Sequence, residues 1–119
     1  MEKFLLLIRE DINRLRQSPE NHSKRIQEMT RWVEALGESG NYLGGEPLVT
    51  FGRYVSKDNV LSDGPFIEAK ESISGYIFIN AENIDQAVSM AQTCPYVMND
   101  TMVIEVRPVI ALENSKVNG

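Results

Sequence analysis

The sequence is poor in the residues from which metal centres, disulfide scaffolds and nucleic-acid surfaces are built. Its 119 residues include one cysteine, Cys94, which excludes an intrachain disulfide and suits a reducing compartment. They include one histidine, His22, and a single His with one distant Cys cannot make a zinc site. The carboxylates do not follow a calcium-loop spacing, Gly44-Gly45 is not followed by a phosphate-loop lysine, and no serine sits in a nucleophile elbow. No metal ion or other cofactor is therefore expected. Positive charge is also scarce, with 12 Lys and Arg against 17 Asp and Glu and a net charge of −5. Phosphate recognition needs a concentrated basic face, so nucleic acid is not an expected partner. The mild cluster of Arg14, Arg16, Lys24, Arg25 and Arg31 is interleaved with Glu20, Glu28 and Glu34 and reads as a solvated helix face. Long apolar runs are missing too. The opening stretch Phe4 to Ile8 is too short for a signal-peptide core or a membrane span, so the expectation is a cytoplasmic protein without membrane association.

What is present matches an ordinary globular domain: 42% apolar and 24% charged residues. The length suits one core. A single domain is expected over 1–112, with a polar, flexible tail over 113–119.

Phe4 to Ile8, closed by Arg9-Glu10-Asp11, predicts a central strand buried on both faces. Ser18-Pro19-Glu20 reads as an N-cap, a first-position proline and a first-turn acid. The helix it opens has the apolar stripe Ile26, Met29, Val33 and Leu36, with Trp32 beside it, and ends at Gly37 and Gly40. Asn41 to Pro47 reads as a glycine-rich connection. Val49 to Val55 predicts a strand, Lys57-Asp58-Asn59 a turn, and Val60-Leu61 a short return strand. Ser74 to Asn80 alternates as a strand. Asn83 and Gln86 make a capping-box pattern opening a helix with the stripe Ile84, Ala87, Val88 and Ala91, which stops before Pro95. Cys94 reads as a small buried residue at that helix terminus rather than a nucleophile, since no base lies near it in sequence. Met102 to Val109 predicts the last strand. The order β-α-β-turn-β-α-β is a split βαβ arrangement, and the expected class is α+β, ferredoxin-like, with an extra β-hairpin.

The densest functional signal is Asp63-Gly64-Pro65-Phe66-Ile67-Glu68-Ala69-Lys70-Glu71. Gly64 accepts φ > 0, and Pro65 pushes the residue before it out of the helical region. Phe66 is an aromatic anchor, and Glu68, Lys70 and Glu71 follow closely. Asp63 is thus a candidate acid/base carboxylate, because like charges or apolar walls raise a carboxyl pKa toward neutrality. Gly64, Pro65, Phe66, Glu68 and Lys70 are candidate ligand contacts. The alternative reading is a tight turn whose Phe66 plugs the core.

These residues also carry a resemblance. Asp63-Gly64-Pro65-Phe66, with Glu68, Lys70-Glu71 and Gly75-Tyr76, resembles the signature of the YCII-related proteins, in the branch named for its Asp-Gly-Pro-Phe motif. Phe4 to Ile8, Ser18-Pro19-Glu20, Asp85-Gln86-Ala87, Cys94-Pro95 and Glu105-Val106-Arg107-Pro108-Val109 fall in the family's order. The resemblance implies a ferredoxin-like fold that pairs into a homodimeric α+β barrel. It also implies small-molecule chemistry, such as lactone isomerisation or elimination, in a cleft between the sheet and nearby loops. For the better-studied YCII-like branch the resemblance implies a His–Asp pair proposed as acid/base, with the His early on the first helix. Here that position falls on Met29, which transfers no proton, and His22 is the only histidine left as a catalytic candidate.

Strand alternation adds a second set of candidates. If Ile77, Ile79, Met102, Ile104 and Val106 face the helices, then Tyr76, Phe78, Val103, Glu105 and Arg107 share the opposite face. That face is too apolar for water and too charged for a plain core. Packing of two copies would cover it, with Tyr76, Glu105 and Arg107 either contacting a polar ligand or forming a structural ion pair in the interface. Two functions follow: an isomerase or lyase acting on a small carboxylate or lactone, or a non-catalytic ligand-binding or regulatory module using the same cleft.

Overall fold

The structure is a computed structural model that describes residues 1–11, 19–49, 52–61 and 71–111. Its elements are β1 (Glu2–Asp11), α1 (Pro19–Glu38), β2 (Tyr42–Pro47), β3 (Tyr54–Val55), β4 (Val60–Leu61), β5 (Glu71–Ala81), α2 (Ile84–Gln92), α3 (Pro95–Met98) and β6 (Val103–Pro108). The main sheet has the order β2-β5-β1-β6. All three of its pairings are antiparallel. β5 lies between β1 and β2, which is the split βαβ topology, and the fold class is α+β with β3 and β4 as a separate antiparallel hairpin.

The sheet has two unlike faces because β1 alternates without interruption. Phe4, Leu6 and Ile8 are buried with Ile77 and Ile79 of β5, Trp32 and Leu36 of α1, and Ala87 of α2. Both helices therefore lie on this face. Phe4, Leu6 and Ile79 are almost completely excluded from solvent, and each contributes about 1.5–3 kcal/mol by burial. Leu5 and Leu7, on the opposite face, are only half-buried. The strand is thus not covered on both sides, and it does not close at Arg9: it continues to Asp11 and carries Glu10 onto the helix side, 5% exposed.

Three further sequence expectations change. The second strand of the sheet is Tyr42–Pro47, not the segment from Val49 to Val55, of which only Tyr54–Val55 forms a strand and residues 50–51 lie outside the described residues. Of the two glycines that suggested a connection, Gly45 is what lets this edge strand approach β5. A Cβ on Gly45 would stand 2.4 Å from the Tyr76 carbonyl oxygen. On α1 the inward stripe is Arg25, Met29, Trp32 and Leu36, and Ile26 is 46% exposed at its edge. On α2 the buried residues are Ala87 and Ala91, while Ile84 and Val88 face outward, because the small side chains are the ones that bring the helix close to the sheet.

Local signals set the element ends. α1 closes in a Schellman motif: the Asn41 N–H donates to Leu36 O, the Gly40 N–H donates to Gly37 O, and Gly40 holds φ 82°. Asn83 caps α2 by accepting from the Gln86 N–H at 2.9 Å, and the Gln86 side chain accepts from the Glu82 N–H. The reciprocal bond therefore falls one residue before the ordinary capping box. Cys94 is fully buried and free, 3.7 Å from Met29 Sδ and 3.8 Å from Met102 Sδ, and burial raises its thiol pKa. Among the described residues no helix is long and apolar enough to cross a membrane.

Candidate functional site

Two surfaces collect the chemistry of this fold, and adjacent residues of β1 feed them. Glu10 points to the helix side and Arg9 to the other.

On the helix side, α1 and the β2–β5 edge of the sheet enclose a cleft of about 230 Å³. Its walls are mostly apolar, from Ile8, Met29, Val33, Tyr42 and Ile77, with Ile26 at the rim. The charged residues that line it are Arg25 and, at the β2 edge, Glu46, with Thr30 and Ser74 as polar neighbours, and Arg25 is held in an ion pair with Glu10. The Arg25 Nε donates to Glu10 Oε1 at 2.7 Å, and Nη2 donates to Oε2. Such a side-on fork fixes the guanidinium plane as well as its position. Ser74 completes the group by donating its hydroxyl to Glu10. Its orientation has a specific cause: Ile8 pairs with Gly75 and Arg9 with Ile73, so Ser74 is the extra residue of a β-bulge. A bulge re-aims one side chain, and this one is turned to the buried carboxylate. Arg25 and Ser74 both line the cleft.

On the other side, the strand registers align residues in rows across the sheet. Glu46, Tyr76, Leu7 and Glu105 form one row, and Gly44, Phe78, Leu5 and Arg107 the next. The split of faces expected from alternation is the one observed. The Tyr76 hydroxyl donates to Glu46 at 3.1 Å. That bond and the charge of Glu46 raise the Tyr76 pKa. Tyr76 and Phe78 meet edge to face with centroids 5.9 Å apart, and Lys3 Nζ sits 4.6 Å from the Phe78 ring centroid. Glu105 bridges two guanidinium groups, Arg107 at 2.9 Å and Arg9 at 3.0 Å. Hydrogen bonds first from Arg107 and then from Arg9 hold its pKa below the ordinary carboxylate value.

The sequence-derived candidates divide between these surfaces. Tyr76 lines the cleft and belongs to the open-face row, whereas Glu105 and Arg107 lie on the open face only. His22 is an exposed residue of α1 and does not line the cleft. Met29 is half-buried in the cleft wall. Asp63, Gly64, Pro65, Phe66, Glu68 and Lys70 lie outside the described residues. Glu10, Arg25 and Ser74 escaped sequence reading. One signal was there: Glu10 continues the period-2 series Phe4, Leu6, Ile8, and a carboxylate on a buried face requires a cation. Among the described residues no group of three or more His, Cys, Asp or Glu is arranged to hold a metal ion.

A ferredoxin-like α+β domain with a helix–sheet cleft is the class that this geometry defines. The chain belongs to the YCII-related domain family, whose pattern matches residues 3–113. It is 32% identical over 57 residues to an uncharacterised protein of Rhizobium meliloti (strain 1021). That match covers 48% of this chain and 46% of the relative, so it spans about half the length of that protein. The fold is similar to that of a 5-chloro-2-hydroxyhydroquinone dehydrochlorinase from Burkholderia phenoliruptrix AC1100, solved in complex with 2,5-dihydroxybenzoquinone. The TM-score is 0.53 at 15% identity, covering 94% of this chain and 97% of that one.

Proposed function

We propose that this protein binds a small organic molecule in the cleft between α1 and the β2–β5 edge. The cleft itself carries the proposal: a largely apolar space of about 230 Å³ with one oriented cation at its side. Drug-sized ligands occupy pockets of about 300–1,000 Å³, so the occupant proposed here is a compact compound. A structural relative that holds a dihydroxybenzoquinone supports the same size class.

For chemistry, the proposal is an isomerase or lyase reaction in which Asp63 takes a proton from the bound compound and returns it or releases a product. Gly64, Pro65, Phe66, Glu68 and Lys70 would form the ligand-facing loop around Asp63, with Tyr76 at the cleft. A non-catalytic binding or regulatory role is the second reading. Met29 favours it, since it lines the cleft at the position on which the resemblance places the helical His, and a thioether transfers no proton. We also propose a cytoplasmic homodimer joined through the open sheet face, where the row Phe78, Leu5 and the row Tyr76, Leu7 present half-buried apolar side chains. Arg9, Glu105 and Arg107 would then lie within or beside the interface, pairing there or contacting a ligand.

A thermal-shift screen of small carboxylates, lactones and phenols tests the cleft. A compound that raises the midpoint of the wild type is expected to lose its effect on Ile26→Trp, which blocks the rim at an exposed position. An undiminished response in Ile26→Trp would rule out the cleft. With such a compound, Asp63→Asn is expected to keep binding and lose turnover; surviving turnover would remove Asp63 from the chemistry.

A further inference from the structure

We infer that Arg25 is the specificity residue of the cleft, and that the ligand is a compact ring compound with an anionic carboxylate or enolate that docks on its outer guanidinium edge. This rests on the reading of the cleft as the ligand site. The cleft presents apolar side chains on several sides, so a ligand bound by burial alone would be selected only by size. Arg25 changes that. It stands on the inward stripe of α1, one turn before Met29, where an apolar residue would otherwise pack, and its side chain is 22% exposed.

Glu10 explains how a cation is tolerated there and what it is prepared to do. The buried carboxylate engages Nε and Nη2 side-on. This leaves the remaining Nη hydrogens as a second set of donors in the same fixed plane. Ser74, delivered by the bulge, donates to the same carboxylate and so holds the element that holds Arg25. A planar anion matches such an edge through paired hydrogen bonds, while its ring lies against Met29, Val33 and Ile77. The guanidinium needs no reorganisation when the ligand arrives, because the Glu10 fork already fixes it. A neutral ring of the same shape would gain the burial without the charged hydrogen bonds. The carboxylate of Glu10, on the far side of the guanidinium, disfavours a ligand that carries more than one negative charge.

Benzoate and its neutral near-isostere benzamide are the probes, with affinities measured by calorimetry at neutral pH. The wild type is expected to bind benzoate at least about tenfold more tightly than benzamide, the difference made by charged hydrogen bonds. In Glu10→Leu/Arg25→Met, which replaces the pair with apolar groups of similar length, the two affinities are expected to converge while benzamide binding persists. Arg25→Lys, which keeps the charge and loses the planar fork, is expected to reduce the ratio several-fold and guards against misfolding of the double variant. Equal affinities in the wild type, or a preference for benzoate that survives both substitutions, would overturn the inference and leave the pair as a fastener of α1 to β1. Binding of both probes that Ile26→Trp does not reduce, or binding of neither, would instead overturn the cleft as the ligand site, and the inference with it.

Discussion

Arg9 and Glu10 are neighbours in sequence, and each forms an ion pair, yet the two clusters obey different physics. Glu10 meets Arg25 and Ser74 on the helix side of the sheet, with its carboxylate 5% exposed. Arg9 meets Glu105, which also pairs with Arg107, on the open side, where all three side chains are about a third exposed or more. Coulomb attraction in the first is weakly screened, and the charges have surrendered their hydration. In the second, water and salt compete throughout. The buried cluster therefore fixes geometry, and the open one sets charge complementarity. One strand pleat separates the two roles.

The largest expected effect follows from breaking the buried pair on one side. Arg25→Ala leaves Glu10 buried without its cation and is expected to destabilise the fold by about 3–5 kcal/mol, measured by urea unfolding. A loss below about 1 kcal/mol would mean that water reaches Glu10 and that the contrast between the faces is false. Next comes the open face. Leu7→Asp inserts a charge between Tyr76 and Glu105 in the middle of the open face and is expected to convert a dimer at micromolar concentration to a monomer in sedimentation, with the monomer still folded. A wild type that sediments only as a monomer would refute the covering of this face by a second copy.

The smallest effect is expected at Glu105. Its pKa is lowered in the folded protein, so its contribution is present above the ordinary carboxylate range and is lost as pH falls through the depressed value. The stability gap between wild type and Glu105→Gln should thus be widest above about pH 5, narrow on acidification, and shrink with added salt. A gap that widens as pH falls would reverse the assignment. Arg107→Ala, which removes the first of the two guanidinium groups holding that pKa down, is expected to weaken the pH dependence of the gap.

Much of this contrast was legible in the residues. Period-two alternation in Ser74 to Asn80 and in the last strand separated Ile77 and Ile104 from Tyr76 and Glu105, because in these two strands the helix-side positions are apolar and the charged positions fall on the open face. Asn83 and Gln86 announced α2, because capping is a local bond between residues three apart. The edge strand Tyr42–Pro47 was hidden for a physical reason: the missing side chain of Gly45 lowers strand propensity while permitting the close approach to Tyr76 that the strand requires. Arg25 was hidden by its type, since an arginine on a helix reads as solvated until a buried carboxylate is found opposite it. Ser74 was hidden by a bulge, which no alternation pattern foretells. The segment from Asp63 to Lys70, the densest functional signal in the sequence, lies outside the described residues.

The most direct test is a methyl-resolved NMR titration of the wild type with benzoate. The shifts are expected to concentrate on Ile8, Ile26, Met29, Val33 and Ile77 around the cleft, with Leu5, Leu7 and Val103 on the open face unmoved. Shifts concentrated on Leu5, Leu7 and Val103, with the cleft methyls silent, would contradict binding in the cleft.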